Sequence, residues 1–319
     1  MAESSVYAGG YTTNRVRKYR KSDLAYQTQS DNYGGAILSI DGDEDNVYVG
    51  GISWPYHYGK KYKKSDLSFV AQTPDYGGDI RAVAVDDTHL YMGGYGDYKV
   101  RKYLKSTMAL TGVASAYGGV IYSVLEDADY VYVGGHTVYL VKKLRKSDLS
   151  LVSENSYGAS IYAMAQDGSH VYVTGAQVVK KYLKDDMSLV ATSPSLGQSI
   201  NTVAVDDDYF YTGDRQRVRK WNKSDLSSTG IMSPEYHYRI RIIAIDPSYV
   251  YAGGDWEGGD WDAVVWKLRK SDLSLECESA SYGGDIYALY ADPDVGQPYI
   301  IRGQHIPGMR TYAGNTGGN

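Results

Sequence analysis

The sequence predicts an all-β protein, a seven-bladed β-propeller built from four-stranded antiparallel blades. Three observations predict it. A nine-residue phrase recurs as VRKYRKSDL at 16, GKKYKKSDL at 59, VRKYLKSTM at 100, VKKLRKSDL at 141, VKKYLKDDM at 179, VRKWNKSDL at 218 and VWKLRKSDL at 265. The copies start 43, 41, 41, 38, 39 and 47 residues apart, and a period of about 40–45 residues without helical patterning is the spacing of propeller blades. The composition agrees: 34 Tyr, 36 Gly and many Val stand beside only 2 Phe, which favours strands over helices. So marked a preference for Tyr over Phe predicts positions with one wet end.

Each repeat divides into four short strands. In the repeat at 160–194, SIYAMAQD (160–167) reads as strand A and HVYVTGA (170–176) as strand B. VVKKYLK (178–184) reads as strand C and SLVATSP (188–194) as strand D. Turns rich in Gly, Asp, Asn and Ser separate them. Strand B recurs as VYAGG at 6, VYVGG at 47, LYMGG at 90, VYVGG at 131, VYVTG at 171, FYTGD at 210 and VYAGG at 250. The approach to strand A reads YGG at 33, 76, 117 and 282 and YGA at 157, with LGQ at 196 and YHY at 236 as departures.

The chain opens on strands B, C and D (6–31) and reaches its last strand A only at 285–291. Pairing that late strand with the early three closes the ring and leaves no open edge. Residues 1–297 are therefore assigned to the propeller. Residues 298–319 are expected to form an extra hairpin or tail packed on the propeller or on a neighbour.

These repeats resemble the broad class of β-propellers with Tyr-Val-Thr-Asn-like or quinoprotein-like blades, VYVTG at 171–175 being the nearest local match. The Trp-Asp and Gly-His pairs of WD-repeat blades do not recur with the repeat. The resemblance extends to repeat propellers of bacterial surfaces and phage particles. It implies an attachment or structural role and is silent on the ligand, because propellers host many functions.

In the nine-residue phrase the side chains alternate, so Lys18 and Lys21 point to opposite faces of strand C. Both positions are Lys in every copy: Lys18, Lys61, Lys102, Lys143, Lys181, Lys220 and Lys267, and Lys21, Lys64, Lys105, Lys146, Lys184, Lys223 and Lys270. A basic ring could bind phosphate or nucleic acid. However, strand C ends at the rim of the A–B turns, and those turns are acidic. They hold Asp43, Glu44, Asp45, Asp86, Asp87, Glu126, Asp127, Asp206, Asp207, Asp208, Asp246, Asp292 and Asp294. Interleaved Lys and Asp read as offsetting surface pairs worth ~0–1 kcal/mol each. Aromatic residues for base stacking do not interleave with the lysines. Ser-Asp in KSDL reads as the C–D turn former.

The B–C connections, by contrast, vary in length and chemistry: YTTNR (11–15), ISWPYHYG (52–59), YGDYK (95–99), HTVYL (136–140), AQV (176–178), RQR (215–217) and DWEGGDWDA (255–263). One constant rim and one variable rim suit a binding scaffold. The predicted ligand-binding residues are Trp54, Tyr56, His57 and Tyr58, Tyr95 and Tyr98, and Trp256, Asp260 and Trp261. Exposed Trp and Tyr on loops supply rigid contact area at low entropy cost, and Trp beside carboxylates suits sugar stacking. Tyr33, Tyr76, Tyr117, Tyr157, Tyr236 and Tyr282 either ring the channel mouth or pack between blades.

No catalytic set is predicted. The strand-A positions expected at the channel mouth offer only Asp79 and Asp285 to a cation, opposed by Arg81, Arg239 and Arg241. No metal or cofactor is therefore expected, although Asp255, Asp260 and Asp262 leave a Ca²⁺ loop open. The six histidines show no ligand spacing, and no GG pair is followed by a helix that would make a phosphate loop.

A net charge of −5 argues against bulk nucleic-acid or anionic-membrane binding, and the single Cys277 gives no disulfide. No run approaches the ~18 apolar residues of a membrane span, and MAESSVYAGG lacks the features of a signal peptide. The expected function is a non-catalytic binding or structural module, a virion or cell-surface component assembled in the cytoplasm, with protein partners or a surface glycan as ligand. A lectin-like propeller is the alternative, and a metal-dependent propeller enzyme a more distant one.

Overall fold

A computed structural model of the chain describes residues 4–236, 238–256 and 263–293, apart from the side chains of Tyr238 and Trp256. The predicted extra hairpin at 298–319 lies outside the described residues. Seven four-stranded antiparallel sheets form the ring. Blade 1 joins Ile286–Ala291 as strand A to Ser5–Gly10, Arg17–Arg20 and Tyr26–Gln29 as B, C and D. The ring thus closes as the sequence predicts, with Val6 opposite Ala291 and Tyr7 opposite Tyr290. Blades 2 to 7 take their strands in chain order, with strand A at Ile37–Gly42, Ile80–Val85, Ile121–Glu126, Ala163–Gln166, Thr202–Val205 and Tyr238–Ile245.

Small residues let the blades approach. A Cβ on Gly50 would collide with Ile80 of the next blade, and one on Gly51 with the Ala36 carbonyl of its own. The first collision recurs at Gly9, Gly93, Gly134, Gly213 and Gly253. The Gly-Gly of strand B is thus a packing requirement. At the outer edge, pairing between strands C and D slips once in every blade, as at Lys18/Tyr19 and Lys61/Tyr62. Such irregularities blunt exposed edges against further strand pairing.

The Lys–Asp rim differs from its prediction as surface pairs. Each corner lysine reaches backwards to the turn aspartate of the preceding blade: Lys21 to Asp246, Lys64 to Asp292, Lys105 to Asp43, Lys146 to Asp86, Lys184 to Asp127, Lys223 to Asp167 and Lys270 to Asp206. The distances are 2.5–3.4 Å. Most of this area is withdrawn from water; the Lys21 and Asp246 side chains are 8% and 5% exposed. The same aspartates accept the hydroxyls of Tyr7, Tyr48, Tyr91, Tyr132, Tyr172, Tyr211 and Tyr251, at 2.7–3.5 Å.

The other lysine of the phrase points forwards. Lys18, Lys61, Lys102, Lys143, Lys181, Lys220 and Lys267 donate to the corner-lysine carbonyl of the following blade at 2.7–3.2 Å. Each interface is therefore tied in both directions, as the alternation along strand C dictates. Burial works to raise the turn carboxyls, but lysine and tyrosine outweigh it and hold Asp43, Asp127, Asp206 and Asp246 below the usual range.

The strand-B tyrosines correct a second expectation. They have no wet end: all seven are at most 1% exposed and donate to a buried or half-buried carboxylate. Burial, reinforced by that charge, pushes the Tyr48 hydroxyl far above its usual pKa. A Phe at these positions would remove one of the donors to the aspartate and leave its lysine partner alone on that oxygen in most blades.

The C–D corner carries strain. Leu24, Leu67, Met108, Leu149, Met187, Leu226 and Leu273 all have φ between +55° and +63°. A left-handed non-glycine residue costs ~1–2 kcal/mol. These side chains are at most 3% exposed, and burying one contributes ~1.5–3 kcal/mol, so burial wins. The preceding residue stabilises the turn: Asp23, Asp66, Thr107, Asp148, Asp186, Asp225 and Asp272 each accept the N–H two positions on.

Candidate functional site

Strands B and C of each blade part on the face opposite the KSDL corners. Here the loop 52–59 is held from several sides. Ile52 donates to the Ala36 carbonyl at 2.8 Å, and Ser53 Oγ to the Tyr56 carbonyl at 2.6 Å. The His57 N–H reaches Asp75 at 2.9 Å, and the Tyr58 carbonyl accepts from Tyr33 at 2.6 Å. The Trp54–Pro55 peptide is cis. A pinned backbone thus presents Trp54 at 81% exposure and Tyr56 at 54%.

The neighbouring loop presents Tyr95, 50% exposed, with Tyr98 edge-on to it at 5.6 Å between ring centroids. Trp54 lies edge-on to His57, 6.0 Å away, and Tyr56 lies 5.9 Å from Tyr58. His57 and Tyr58 are half-buried and act as supports more than contacts. Among the predicted site residues, Asp260 and Trp261 lie outside the described residues, as does the side chain of Trp256.

His57 faces inward. Its Nδ1 stands 3.8 Å from Asp79 Oδ1, and Asp79 pairs with Arg81 at 3.2 Å. The Arg81 guanidinium lies over the Tyr122 ring at 5.6 Å. Tyr122 adjoins His136 at 6.4 Å, and His136 Nδ1 hydrogen-bonds Ser160 Oγ at 2.6 Å. The chain of contacts thus runs from Trp54 across blades 2, 3 and 4 to Ser160, where blade 5 begins.

His136 is exposed and lies edge-on to Tyr139, which is 38% exposed. The sequence reading lists their loop, HTVYL, but does not assign them to the site. Their i, i+3 spacing on a variable connection was the available signal.

Across the mouth the charged groups engage one another. Arg241 is 3% exposed and grips Asp255 with two bonds of 2.7 and 2.8 Å. Tyr287 donates to Asp285 at 2.7 Å, and burial raises the Asp285 carboxyl. Asp79 and Asp285 therefore enter separate pairs. Among the described residues no three His, Cys, Asp or Glu side chains gather as metal ligands. No helix among them is long and apolar enough to cross a membrane.

The Tyr-Gly-Gly tyrosines pack between blades. Tyr33, Tyr76, Tyr117, Tyr157 and Tyr282 are at most 4% exposed and donate to backbone carbonyls around the start of the next blade's strand C at 2.5–2.8 Å. Tyr236 stacks on Trp266 instead, 4.4 Å between ring centroids. None of the five supplies the channel mouth with an open aromatic face, so that alternative from the sequence is set aside.

The molecule is a seven-bladed β-propeller with one chemically uniform face and one varied, aromatic face. No protein-family model matches the sequence, and no curated protein matches it. Among solved structures it is similar to the computationally designed Ika8 protein, with 13% identity over 95% of this chain and 94% of that one and a TM-score of 0.67. It is also similar to the WD40 β-propeller domain of Doa1, with 15% identity over 84% of this chain and 90% of that one and a TM-score of 0.67. At such identities the likeness is one of fold.

Proposed function

We propose that the chain is a non-catalytic recognition scaffold that binds its ligand on the B–C loop face through Trp54, Tyr56 and Tyr95. One observation carries the reading. The corner face commits its charged side chains to ties repeated in all seven blades, whereas the opposite face holds large aromatic side chains in water on a pinned backbone. Exposed Trp and Tyr on rigid loops make favourable contact area at small entropic cost. The partner is a protein surface in a larger assembly, and the repeat resemblance points to an attachment component of a virion or cell surface.

A glycan is the second reading. It is favoured by Trp54, whose 81% exposure leaves its ring available for stacking. Both readings are tested by a glycan-array and cell-surface binding screen of the wild type beside a Trp54→Ala/Tyr56→Ala/Tyr95→Ala variant. Binding by the wild type and its loss in the folded variant supports loop-face recognition. Undiminished binding by the variant removes it. A hit confined to the array selects the glycan.

A further inference from the structure

On the opposite face, the A–B turns surround the mouth of the central channel, which opens into a cavity of about 1230 Å³. Among the described residues its lining holds ten carboxylates (Asp41, Asp43, Asp86, Asp87, Glu126, Asp127, Asp167, Asp206, Asp207 and Asp208); five of these are turn aspartates already tied to corner lysines, so the excess of negative charge comes from the others. A cleft lined mainly by one sign, with low-dielectric walls, concentrates ions of the other sign.

The cavity is not symmetric. The residue just before each turn aspartate is Gly42, Val85, Glu126, Gln166, Val205, Ile245 or Ala291. Five blades thus offer no polar side chain there, while adjacent blades 4 and 5 offer Glu126 and Gln166. Lys146 is shared, donating to Glu126 and lying 2.9 Å from Asp86. One ammonium therefore serves two carboxylates, and burial, offset only in part by Lys146, raises Glu126 to about 7.

Gln166 supplies a second, independent observation. Its residue is 5% exposed and lines the cavity. Its Nε2 donates to the Glu126 carbonyl at 2.5 Å, which fixes the amide orientation, while its Oε1 has no partner among the described residues. A buried carbonyl oxygen left without a donor is costly. A site with surplus negative charge and an unsatisfied acceptor calls for a group that is both cationic and a multiple donor. A primary ammonium is that group, with three N–H donors and no acceptor.

We propose that the channel mouth on the corner face binds ligands carrying several primary ammonium groups, one of them seated between Glu126 and Gln166. Two sources share this chemistry: a free polyamine and a lysine-rich segment of a partner protein. The site is separate from the aromatic loop face and does not depend on recognition there.

The test is isothermal titration of the intact protein with spermine and, separately, with a lysine-rich peptide, at fixed ionic strength. Wild type is compared with Glu126→Gln, Gln166→Leu and, as a control outside the cavity lining, Asp45→Asn. The expected result is saturable one-to-one binding of at least one ligand, weakened roughly tenfold or more by Glu126→Gln, as loss of one charged hydrogen bond implies. Gln166→Leu weakens it by a smaller factor, and Asp45→Asn changes it less than about twofold, as expected of an exposed charge outside the cavity.

Tighter binding of spermine assigns the site to a free polyamine, and tighter binding of the peptide to a partner segment. Absence of saturable binding by either overturns the proposal. Equal losses in Glu126→Gln and Asp45→Asn also overturn it, since they mean diffuse attraction. So does Ca²⁺ binding with the same dependence on Glu126 at lower concentration than either amine. Thermal unfolding of each variant accompanies the titration. Glu126→Gln removes a half-buried carboxylate and is expected to unfold no earlier than wild type, so its loss of binding is not a loss of fold.

Discussion

At the corner face Lys105 reaches Asp43, Lys184 reaches Asp127 and Lys270 reaches Asp206, and every other blade repeats the contact with the same residue types. At the loop face the B–C connections do not repeat. The connection is AQV at 176–178 in one blade and ISWPYHYG at 52–59 in another. The difference shows where selection for a closed ring acts. A blade must meet both neighbours, so the groups that cross an interface cannot vary independently. A buried ion pair at best offsets its own desolvation; what the Lys–Asp ring adds is a fixed spacing and order of blades. Among the described residues the B–C loop side chains make no tie repeated in all seven blades, and they are free to differ.

The largest expected effect comes from breaking one tie. Asp246→Asn leaves Lys21 buried beside a neutral amide, and losing one partner of a buried pair costs ~3–5 kcal/mol. Urea denaturation measures it. A shift of under about 1 kcal/mol, the value of a surface pair, would return the ring to the solvated rim expected from sequence.

Next comes the strained corner. Leu67→Ala is expected to cost ~2–4 kcal/mol for the lost buried side chain, and Leu67→Gly about 1 kcal/mol less because φ at +59° suits glycine. Finding Gly worse than Ala contradicts the assignment of strain at this position.

The third effect depends on pH. Glu126 has a folded pKa of about 7 against an ordinary 4.5, so the folded state holds its proton more tightly. Its favourable contribution is complete below pH 4.5 and is lost as pH rises through 7. Asp167 has the opposite sign. With its carboxyl lowered to about 2 from 3.8, against the pull of burial, by turn N–H groups, Tyr172 and Lys223, it stabilises above 3.8 and fails as pH falls through 2. Glu126→Gln should therefore exceed wild type by ~1–3 kcal/mol at pH 8 and match it near pH 4. Denaturation midpoints at the two pH values decide this, and a constant difference rejects the assignment. The smallest effect is on the loop face, where Trp54→Ala is expected to change stability by less than ~0.5 kcal/mol.

Much of the fold is legible in the sequence because its signals are local. The strand alternation, the turn residues and the spacing of KSDL-like phrases all lie within one repeat. Ring closure is also readable, since three early strands need a late fourth. The alternation of Lys18 and Lys21 even gives their opposite directions. What is not legible is burial across an interface. Lys64 and Asp292 sit far apart in sequence, and no periodicity reports that Tyr7 joins them. Asp167, followed by GSH, is the one turn aspartate missing from the acidic set read from the sequence. At the site, Trp54, Tyr56 and Tyr95 follow from loop composition. The supporting roles of His57 and Tyr58 depend on how the loop backbone is tied down, which composition does not encode.

The most direct test compares two triple variants by urea denaturation: Asp43→Asn/Asp127→Asn/Asp206→Asn at the corner face and Trp54→Ala/Tyr56→Ala/Tyr95→Ala at the loop face. The division of labour between the faces predicts that the first loses most of its stability, with a broadened transition, while the second stays within about 1 kcal/mol of wild type. Comparable losses in both, or a corner variant as stable as wild type, would contradict it.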